Sequence, residues 1–436
     1  MTDWSNWSGS VRCRPRVVVK PSTLEDVVTA IRRAATDGRG VRVAGSGHSF
    51  TPLVATDGAL LSLERVTGIE GVDSERSEAM VLGGTRLKAL GEALFDRGLA
   101  MENLGDIDAQ ALAGALCTGT HGTGRGLGTL STQIAAMTLV TANGEIIDCA
   151  SGREPDLFQA ARVSLGALGV LWSIRLRVVP TFRLRYVRKS MDLEECLGSL
   201  RELGAHRHFE LYWFPHTRRV DTKAMDPSDA PPTPDGFGRF LNDVVLENGA
   251  FWALSEACRA VPHLTAPASR LCARLVSEGT RVGDSHRVFA TPRLVRFQEM
   301  EYALPAESGP DCLREIRRYV EDKGVPVHFP VEFRLVKGDD IWLSPAYGRD
   351  SAYIAVHQYR GMPYRDYFEG VEAIFRNHRG RPHWGKIHTR TAAELAPLYP
   401  MWEPFHEVRR RVDPRGLFLN DYLGSLFGLT PGSGSG

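Results

Sequence analysis

The strongest constraint on this chain is a strand-like run that breaks into a glycine turn and then presents a histidine. Residues 41–44 are mostly apolar and lead into Gly45-Ser46-Gly47-His48-Ser49. Glycine adopts positive φ without steric cost, so successive N–H groups of such a turn can face an anion such as a diphosphate. The pattern is equally typical of an ordinary tight turn. On its own it leaves a phosphate-binding loop and a simple turn both open.

A second glycine-rich stretch spans residues 103–126 and includes Gly105, Gly114, Thr118 and the run at 119–124. This stretch has too little side-chain volume to fill a core, so its backbone is expected to lie close to something flat or phosphorylated. Two separate glycine-rich stretches favour one extended ligand. The first turn lacks the third glycine of a G-x-G-x-x-G motif, which disfavours a Rossmann site.

Composition limits the class of protein. The 436 residues suffice for two domains, and 43% hydrophobic with 24% charged residues is typical of a soluble globular protein. A net charge of +1, without a basic block interleaved with aromatics, argues against a nucleic-acid partner. The seven cysteines are scattered singly, which favours a reducing compartment over a disulfide framework. We find no signal peptide and no apolar stretch of about 18 residues, so we expect a cytoplasmic protein without a membrane span.

Periodicity predicts alternating strands and helices in the first half of the chain. A helix is expected to begin with a capping box of Ser22 and Glu25. Asn143-Gly144 predicts a hairpin between the apolar runs on either side of it. An alternating strand from Val170 to Val178 ends at Pro180, and we place a domain boundary there. The predicted units are 1–179, 180–424 and a flexible Gly/Ser tail at 425–436.

The second half is expected to contain a proline-rich loop at 230–236, helices over roughly 240–278 and strands at 287–299. A later strand, 327–336, shows period-two alternation that separates an apolar face from one carrying Glu332 and Arg334. The strand 351–359 carries His357. A turn-rich segment at 381–388 then carries Lys386, and no histidine pair has the i, i+4 spacing with a carboxylate that would suggest a metal site.

Five motifs in order give the chain a resemblance to a known family. It resembles the aldonolactone oxidoreductases, which group L-gulono-1,4-lactone and D-arabinono-1,4-lactone oxidases and dehydrogenases with alditol oxidases, within the vanillyl-alcohol-oxidase flavoprotein superfamily. The resemblance extends over about residues 12–424. The motifs are Val-Ala-Gly-Ser-Gly-His-Ser at 43–49, Gly-Thr-His-Gly-Thr-Gly at 119–124, Val-Glu-Phe-Arg at 331–334, His-Trp-Gly-Lys at 383–386 and Phe-Leu-Asn-Asp-Tyr at 418–422.

The resemblance implies an α+β fold and an FAD cofactor. Residues 1–179 would form a two-lobed FAD-binding domain, and 180–424 an α+β cap domain with an antiparallel sheet and a C-terminal segment that returns to the flavin. His48 would be bonded covalently to the 8α-methyl of the isoalloxazine. The other residues expected to hold the cofactor are Gly45, Ser46, Gly47, Ser49, Gly105, Gly114, Thr118, His121, Gly122, Gly124 and Val170.

Flavin-dependent oxidation of a C–H(OH) group needs a hydride held against N5, a route for the hydroxyl proton, and positive charge near the N1/C2 carbonyl. Arg334, oriented by Glu332, suits a flavin carbonyl or a sugar oxygen, although an ordinary cross-strand ion pair is the alternative. Lys386, by resemblance, would stabilise an alkoxide or accept the proton. His357 is a weaker catalytic candidate, and His121 is more simply explained as a structural hydrogen-bonder.

The function that follows is oxidation of a sugar 1,4-lactone, with electrons passed to O2 or to another acceptor such as a cytochrome or quinone. The small Gly105 permits oxidase activity in this family. Asp106 stands where alditol oxidases carry serine, which favours a lactone over an open polyol such as xylitol. The alternatives are an alditol oxidase, a hydrolase that pairs Glu332 with Asp340, and a sugar- or flavin-binding protein without catalytic activity.

Overall fold

The structure is a computed structural model that describes residues 3–234, 247–290 and 295–429. Its strands are β1 (Trp4–Ser5), β2 (Arg12–Cys13), β3 (Val17–Val19), β4 (Val41–Ala44), β5 (Ala59–Ser62), β6 (Ile69–Asp73), β7 (Glu78–Leu82), β8 (Leu99–Ala100), β9 (Ile134–Val140), β10 (Ile146–Ala150), β11 (Val170–Arg177), β12 (Val179–Pro180), β13 (Arg183–Asp192), β14 (His208–Trp213), β15 (Arg219–Pro227), β16 (Gly279–Asp284), β17 (Phe297–Pro305), β18 (Val331–Val336), β19 (Ser351–Tyr359) and β20 (Arg381–Pro382).

The helices are α1 (Leu24–Thr36), α2 (Leu87–Phe95), α3 (Leu112–Cys117), α4 (Pro155–Arg162), α5 (Leu193–Gly198), α6 (Leu200–Leu203), α7 (Glu247–Ala260), α8 (Thr265–Leu275), α9 (Ser285–Phe289), α10 (Gly309–Asp322), α11 (Arg365–Asn377), α12 (Ala392–Leu395), α13 (Trp402–Val412) and α14 (Asp421–Leu426). Among the described residues, no helix is both long and apolar enough to cross a bilayer.

The two main sheets of the first half of the chain accompany two two-stranded ones, β1-β2 and β12-β8. A three-stranded parallel sheet of order β3-β5-β4 shares a core with the apolar face of α1. Helix α1 begins one residue later than expected, because Thr23 and Asp26 form the capping box instead of Ser22 and Glu25: the Asp26 carboxylate accepts from the Thr23 N–H at 3.0 Å. A five-stranded antiparallel sheet, β10-β9-β11-β7-β6, forms the second lobe and contains the hairpin expected at Asn143-Gly144.

The second half is dominated by an eight-stranded sheet of order β16-β13-β15-β14-β18-β19-β17-β20, antiparallel throughout. One face carries apolar side chains such as Leu211, Phe333 and Ile354, which share a buried core with residues of α10 and α11. Alternation places Glu210, Glu332 and Arg334 on the opposite face, although these residues are buried as well. The sheet therefore presents a buried polar face to the rest of the molecule.

Two strand predictions in the second half need correction. The strand expected over 327–336 begins later, at Val331. The strand predicted at 287–299 is wrong in its first part, since Ser285–Phe289 is helical and β17 begins at Phe297. Ser285, Val288 and Phe289 are the buried residues there, which is a helical spacing and not alternation. Residues 291–294 lie outside the described residues, as do the end of the predicted 230–236 loop and the start of the predicted 240–278 helices.

The C-terminal segment returns to the first domain. The Val41 N–H donates to the Leu417 carbonyl at 2.7 Å, and the Asn420 amide donates to the Ala55 carbonyl at 2.7 Å. The flexible tail predicted from residue 425 starts too early, because Leu426 and Phe427 are buried in the same core as α13. Residues 430–436 lie outside the described residues.

Candidate active site

The glycine turn after β4 lines a cavity of about 550 Å³ in the first domain. The cavity brings together both glycine-rich stretches and the backbone near residues 165–169. Seven of the residues expected to hold a cofactor line it: Gly45, Ser46, Gly47, His48, Ser49, Gly114 and Thr118. Extended, glycine-rich space of this kind suits a long ligand that carries phosphate.

The shape of the wall supports the fit of FAD. Gly114 lies in α3 with open space beside it, since an added Cβ would meet no described protein atom within 4 Å. Gly47 has φ +71°, which only glycine adopts without strain. Protein packing therefore does not require a glycine at 114, whereas a ligand lying against the backbone would.

The wall also contains a buried cation. The Arg42 guanidinium donates to the carbonyls of Leu53 at 2.6 Å, Leu165 at 2.8 Å and Gly166 at 3.1 Å. Burial lowers the pKa of Arg42 to about 10, well above neutrality. Arg42 thus joins three segments of the wall and adds positive charge beside the space that would hold an anionic cofactor.

His48 lies at this wall with its imidazole uncharged. Burial, with further contributions from Lys386 and Arg86, lowers the pKa of His48 to about 4. Its ring stacks against Trp7 with centroids 5.8 Å apart. A neutral imidazole keeps one ring nitrogen with a free lone pair, so this histidine is in the form that can act as a nucleophile.

Five residues expected at the cofactor do not line the cavity: Gly105, His121, Gly122, Gly124 and Val170. A Cβ at Gly122 would lie 2.4 Å from the Leu104 carbonyl oxygen, so close packing requires that glycine. Gly124 has φ +135°, and its N–H donates to the Leu335 carbonyl at 2.7 Å. Gly122 thus packs the loop against residues 103–104, and Gly124 bonds it to the eight-stranded sheet.

The immediate surroundings of Gly105 and Val170 explain why these two residues do not line the cavity. Val170 is fully buried in β11, while its neighbours Gly169 and Leu171 line the cavity. A Cβ at Gly105 would approach the His121 carbonyl oxygen to 3.3 Å, which is tight. An alanine at 105 would therefore need a shift of a few tenths of an ångström in its neighbours.

His121 belongs to a buried polar group at the sheet. Its Nδ1 lies 2.9 Å from the Gly122 carbonyl oxygen and its Nε2 lies 3.0 Å from Glu301. Burial raises the pKa of Glu301, but His121, His383 and Lys386 outweigh it and hold that pKa below its ordinary value. The possible ligand atoms of His121, Glu301 and His383 lie within 4.8 Å of one another. Each already has a hydrogen bond, His383 Nδ1 accepting from the Gly385 N–H at 3.1 Å.

Arg334 is the centre of the polar sheet face. Its Nε lies 2.5 Å from Glu332 and 2.7 Å from Glu210, and a terminal nitrogen lies 3.8 Å from Asp106. Burial lowers the pKa of Arg334, but the carboxylates outweigh it and raise that pKa well above its ordinary value. Burial and the nearby acids raise the pKa of Glu332, with Arg334 opposing them. The face is thus a dense group of paired charges.

Lys386 and His357 meet at a second carboxylate. Lys386 Nζ lies 2.5 Å from Glu299, and His357 Nε2 lies 3.5 Å from the same carboxylate. Burial raises the pKa of Glu299, but Lys386 and His357 lower it to about 2. The Phe50 N–H donates to the Gly385 carbonyl at 2.7 Å, so the turn carrying Lys386 is bonded to the turn carrying His48.

The sequence reasoning missed Glu210, Tyr212, Lys223, Glu299 and Glu301. The alternation of residues 208–213 was a usable signal, because it sets polar residues against apolar ones with period two. The order of strands in the sheet decides which residues lie beside each of these polar side chains, and sequence spacing does not encode that order. Asp340 was proposed as a second carboxylate for Glu332, but it pairs with Arg162 at 2.9 Å in a different cleft.

Comparison with known proteins decides the family. The protein-family model described as D-arabinono-1,4-lactone oxidase matches residues 174–426, and the family model described as FAD binding domain matches residues 15–150. The chain belongs to the D-arabinono-1,4-lactone oxidase family. It is 42% identical to L-gulono-1,4-lactone dehydrogenase of Mycobacterium tuberculosis, over 98% of this chain and 99% of that protein. It is 33% identical to L-gulonolactone oxidase of Bos taurus, over 97% and 98% of the two chains.

Comparison with solved structures identifies the fold. A solvent-stable cholesterol oxidase matches with a TM-score of 0.82 at 19% identity, over 98% of this chain and 97% of that one. Cholesterol oxidase from B. sterolicum matches with a TM-score of 0.81 at 18% identity, over 98% and 96% of the two chains. The α+β class with an FAD-binding domain is confirmed, and the chain is a flavin-linked oxidoreductase.

Proposed function

We propose that this protein oxidises a sugar 1,4-lactone of the L-gulono-1,4-lactone type, using FAD bonded covalently to His48. The observation that carries the proposal is the placement of the Lys386 turn directly against the His48 turn, through the hydrogen bond between Phe50 and Gly385. The names of the relatives with 42% and 33% identity support a lactone as the substrate class.

The covalent bond is supported by the state and the place of His48. The residue lines the cavity, and its pKa of about 4 keeps the imidazole neutral and nucleophilic at physiological pH. Gly45, Ser46, Gly47, Ser49, Gly114 and Thr118 would hold the cofactor along the wall.

Bound FAD would supply a two-electron acceptor at N5 for the hydride that leaves the substrate carbon. The substrate hydroxyl loses its proton in the same oxidation, so the product carries a carbonyl at that carbon. Arg334 would hold a substrate oxygen, and Glu332 would orient Arg334 and accept from substrate hydroxyls. Lys386, paired with Glu299 at 2.5 Å, would stabilise negative charge on the reacting oxygen. His357 would help to place Glu299.

The preference for a lactone over an open polyol is supported by Asp106. This carboxylate lies 3.8 Å from Arg334, where the resemblance to alditol oxidases would place a serine hydroxyl that contacts the polyol. The Asp106 carboxylate pairs with Arg334, and unlike a serine hydroxyl it cannot donate a hydrogen bond to a polyol. The same cap would therefore accept a ring substrate better than an extended chain.

O2 or another acceptor such as a cytochrome or quinone would take the electrons, and the small Gly105 is compatible with O2. A cytoplasmic location is supported by the seven unpaired cysteines.

The test has two arms. In the first, acid denaturation of the purified protein should leave yellow flavin in the pellet; flavin found only in the supernatant would disprove the covalent bond. In the second, L-gulono-1,4-lactone should bleach the flavin without O2 faster than xylitol does. Faster bleaching by xylitol would make the protein an alditol oxidase. Adding O2 or cytochrome c to the bleached protein identifies the acceptor.

A further inference from the structure

Behind Arg334 lies an ion pair that belongs to none of the five sequence motifs. Lys223 on β15 is opposite Glu210 on β14, and Glu210 is opposite Arg334 on β18. We call these three residues the charged row. Lys223 Nζ lies 3.1 Å from Glu210 Oε1, and Glu210 Oε2 lies 2.7 Å from the Arg334 Nε. One carboxylate therefore bridges the two cations.

Burial makes the charged row sensitive to its charge balance. The Glu210 side chain is 5% exposed and that of Lys223 is 14% exposed. Water therefore provides little compensation if one member is lost, and an unpaired buried charge is costly. The Lys223 ammonium also lies 4.3 Å above the Tyr212 ring, and the Tyr212 hydroxyl donates to Glu210 at 3.1 Å.

The charges that face Arg334 are not balanced by Arg334 alone. Three carboxyl groups approach it, those of Asp106, Glu210 and Glu332. Lys223 adds a second positive charge, so the group has three acids against two cations. A proton bound to these carboxyl groups is held less firmly with the positive charge of Lys223 nearby than it would be without that charge.

We propose that Lys223 and Glu210 are positioning residues that fix the Arg334 guanidinium beside Glu332. Through its charge, Lys223 also determines the pH at which the carboxyl groups around Arg334 lose their proton. The proposal rests on the proposed function, because its readout is the reaction of Glu332 and Arg334 with substrate. It adds two residues on strands β14 and β15 to a site that the motifs place on β18 and the Lys386 turn.

The direction of the effect follows from the neighbours of Glu332. These are Arg334 on the same strand, Glu210 and Tyr212 on β14, Asp106 on the loop before α3, and His357 on β19. Removing the positive charge of Lys223 leaves three acids around one cation, so the shared proton is held to higher pH. Removing the charge of Glu210 leaves two acids around two cations, so the proton is lost at lower pH.

The test measures the rate of flavin reduction by substrate without O2, as a function of pH, in the intact flavinylated enzyme. For Lys223→Met the acid-side midpoint should move up by about 1 pH unit, and for Glu210→Gln it should move down by about 1 unit. The double variant restores the balance of charge and should return the midpoint close to that of the unchanged enzyme. Lys223→Arg keeps the charge and should keep the midpoint.

Opposite shifts that cancel in the double variant cannot come from loss of packing, which would accumulate. Acid-side midpoints that are the same in all variants would disprove the proposal, as would shifts of one sign that add in the double variant. Flavin content and melting temperature identify a variant that does not fold, and Lys223→Arg and the double variant then carry the test. If the unchanged enzyme is not bleached by lactone or polyol, the proposed function fails instead.

Discussion

The glycine-rich cavity and the polar sheet face are formed by different kinds of chemical group. The cavity wall is rich in glycine, including Gly45, Gly47 and Gly114, and it carries one uncharged histidine, His48, and the buried Arg42 cation. The sheet face consists of buried, ionised side chains held in pairs around Arg334 and Glu299. Backbone N–H groups suit a ligand whose charge is constant, whereas fixed side-chain charges suit a substrate whose charge changes during reaction. The two regions should therefore fail in different ways when altered.

The first prediction has the largest expected effect and concerns attachment at the cavity. His48→Ala should abolish covalent flavin completely, because no imidazole remains at the wall. FAD should still bind reversibly, since the rest of the cavity wall is unchanged. Acid precipitation followed by absorbance of the pellet measures the first expectation, and equilibrium dialysis the second.

His263→Ala is the matched control, because His263 is exposed in the cap. It should retain covalent flavin in full. Covalent flavin in His48→Ala would mean that another residue forms the bond. Loss of all flavin binding from that variant would mean that the rest of the cavity wall does not hold the cofactor without His48, and the two regions would then not differ as described.

The second prediction concerns the sheet face. Arg334→Met should lower the rate of flavin reduction by about 10²- to 10³-fold, because a fixed charge at the proposed reacting centre is lost. Covalent flavin content should not change, since Arg334 does not line the cavity. Arg334→Lys should recover little, because a single ammonium nitrogen cannot replace both the Nε that meets Glu210 and Glu332 and the terminal nitrogen that meets Tyr212 and Asp106.

Stopped-flow bleaching by L-gulono-1,4-lactone measures this rate. Arg219→Met is the control on the same sheet, where Arg219 is exposed, and it should react at the normal rate. An Arg334→Met variant with normal bleaching would remove Arg334 from the reaction. One without covalent flavin would show that the sheet face helps to build the cofactor site.

The same difference explains what the sequence could predict. His48 and Gly114 lie in contiguous glycine-rich stretches, and their local pattern is the physical feature that forms the cavity wall, so the cavity could be expected from sequence. Glu332 and Arg334 were found because they lie on one strand with period two. Glu210 and Lys223 meet Arg334 only through the sheet order β15-β14-β18, and pairing between distant strands is set by the whole fold, which local spacing does not encode.

Glycines show the limit of motif reading. Gly114 and Gly122 are both in the second glycine-rich stretch, yet a Cβ at 114 meets open space while one at 122 would meet the Leu104 carbonyl oxygen at 2.4 Å. The first supports binding and the second supports packing. Sequence alone gives them the same appearance, because the space beside a glycine is defined by residues far along the chain.

The third prediction uses that open space. Gly114→Leu should fold, because the added side chain meets no described protein atom at its Cβ, but the side chain would project into the cavity and compete with FAD. In a His48→Ala background, where binding is reversible, we expect the affinity for FAD to fall by about 10- to 100-fold, the cost of a side chain that must be displaced.

Gly198→Leu is the matched control, since Gly198 is also in a helix beside open space but is exposed on the cap. Titration of apoprotein with FAD, followed by flavin fluorescence, measures both variants. Equal affinity in the two would show that the cofactor does not lie against α3, and the cavity would need another occupant.

The smallest expected effect concerns a histidine that lies in neither region. His406 on α13 is buried against Trp402 and Phe427, both of its ring nitrogens lack a partner among the described residues, and burial lowers its pKa to about 4. The pKa of His48 is lowered to the same value by the same first cause. A lowered pKa therefore does not identify a functional histidine, and contact with the cavity is what separates His48 from His406.

His406 should instead affect stability against pH. Below about pH 6.5 the unfolded chain binds a proton that the folded chain refuses until about pH 4, so stability falls as pH falls through that window. At pH 5 the loss amounts to about 2 kcal/mol at most for one histidine. His406→Leu should reduce the drop in melting temperature between pH 7 and pH 5, whereas His263→Leu, at an exposed position, should not. An unchanged drop in His406→Leu would mean that this imidazole is protonated in the folded protein, and the argument for a neutral His48, which rests on the same cause, would lose its support.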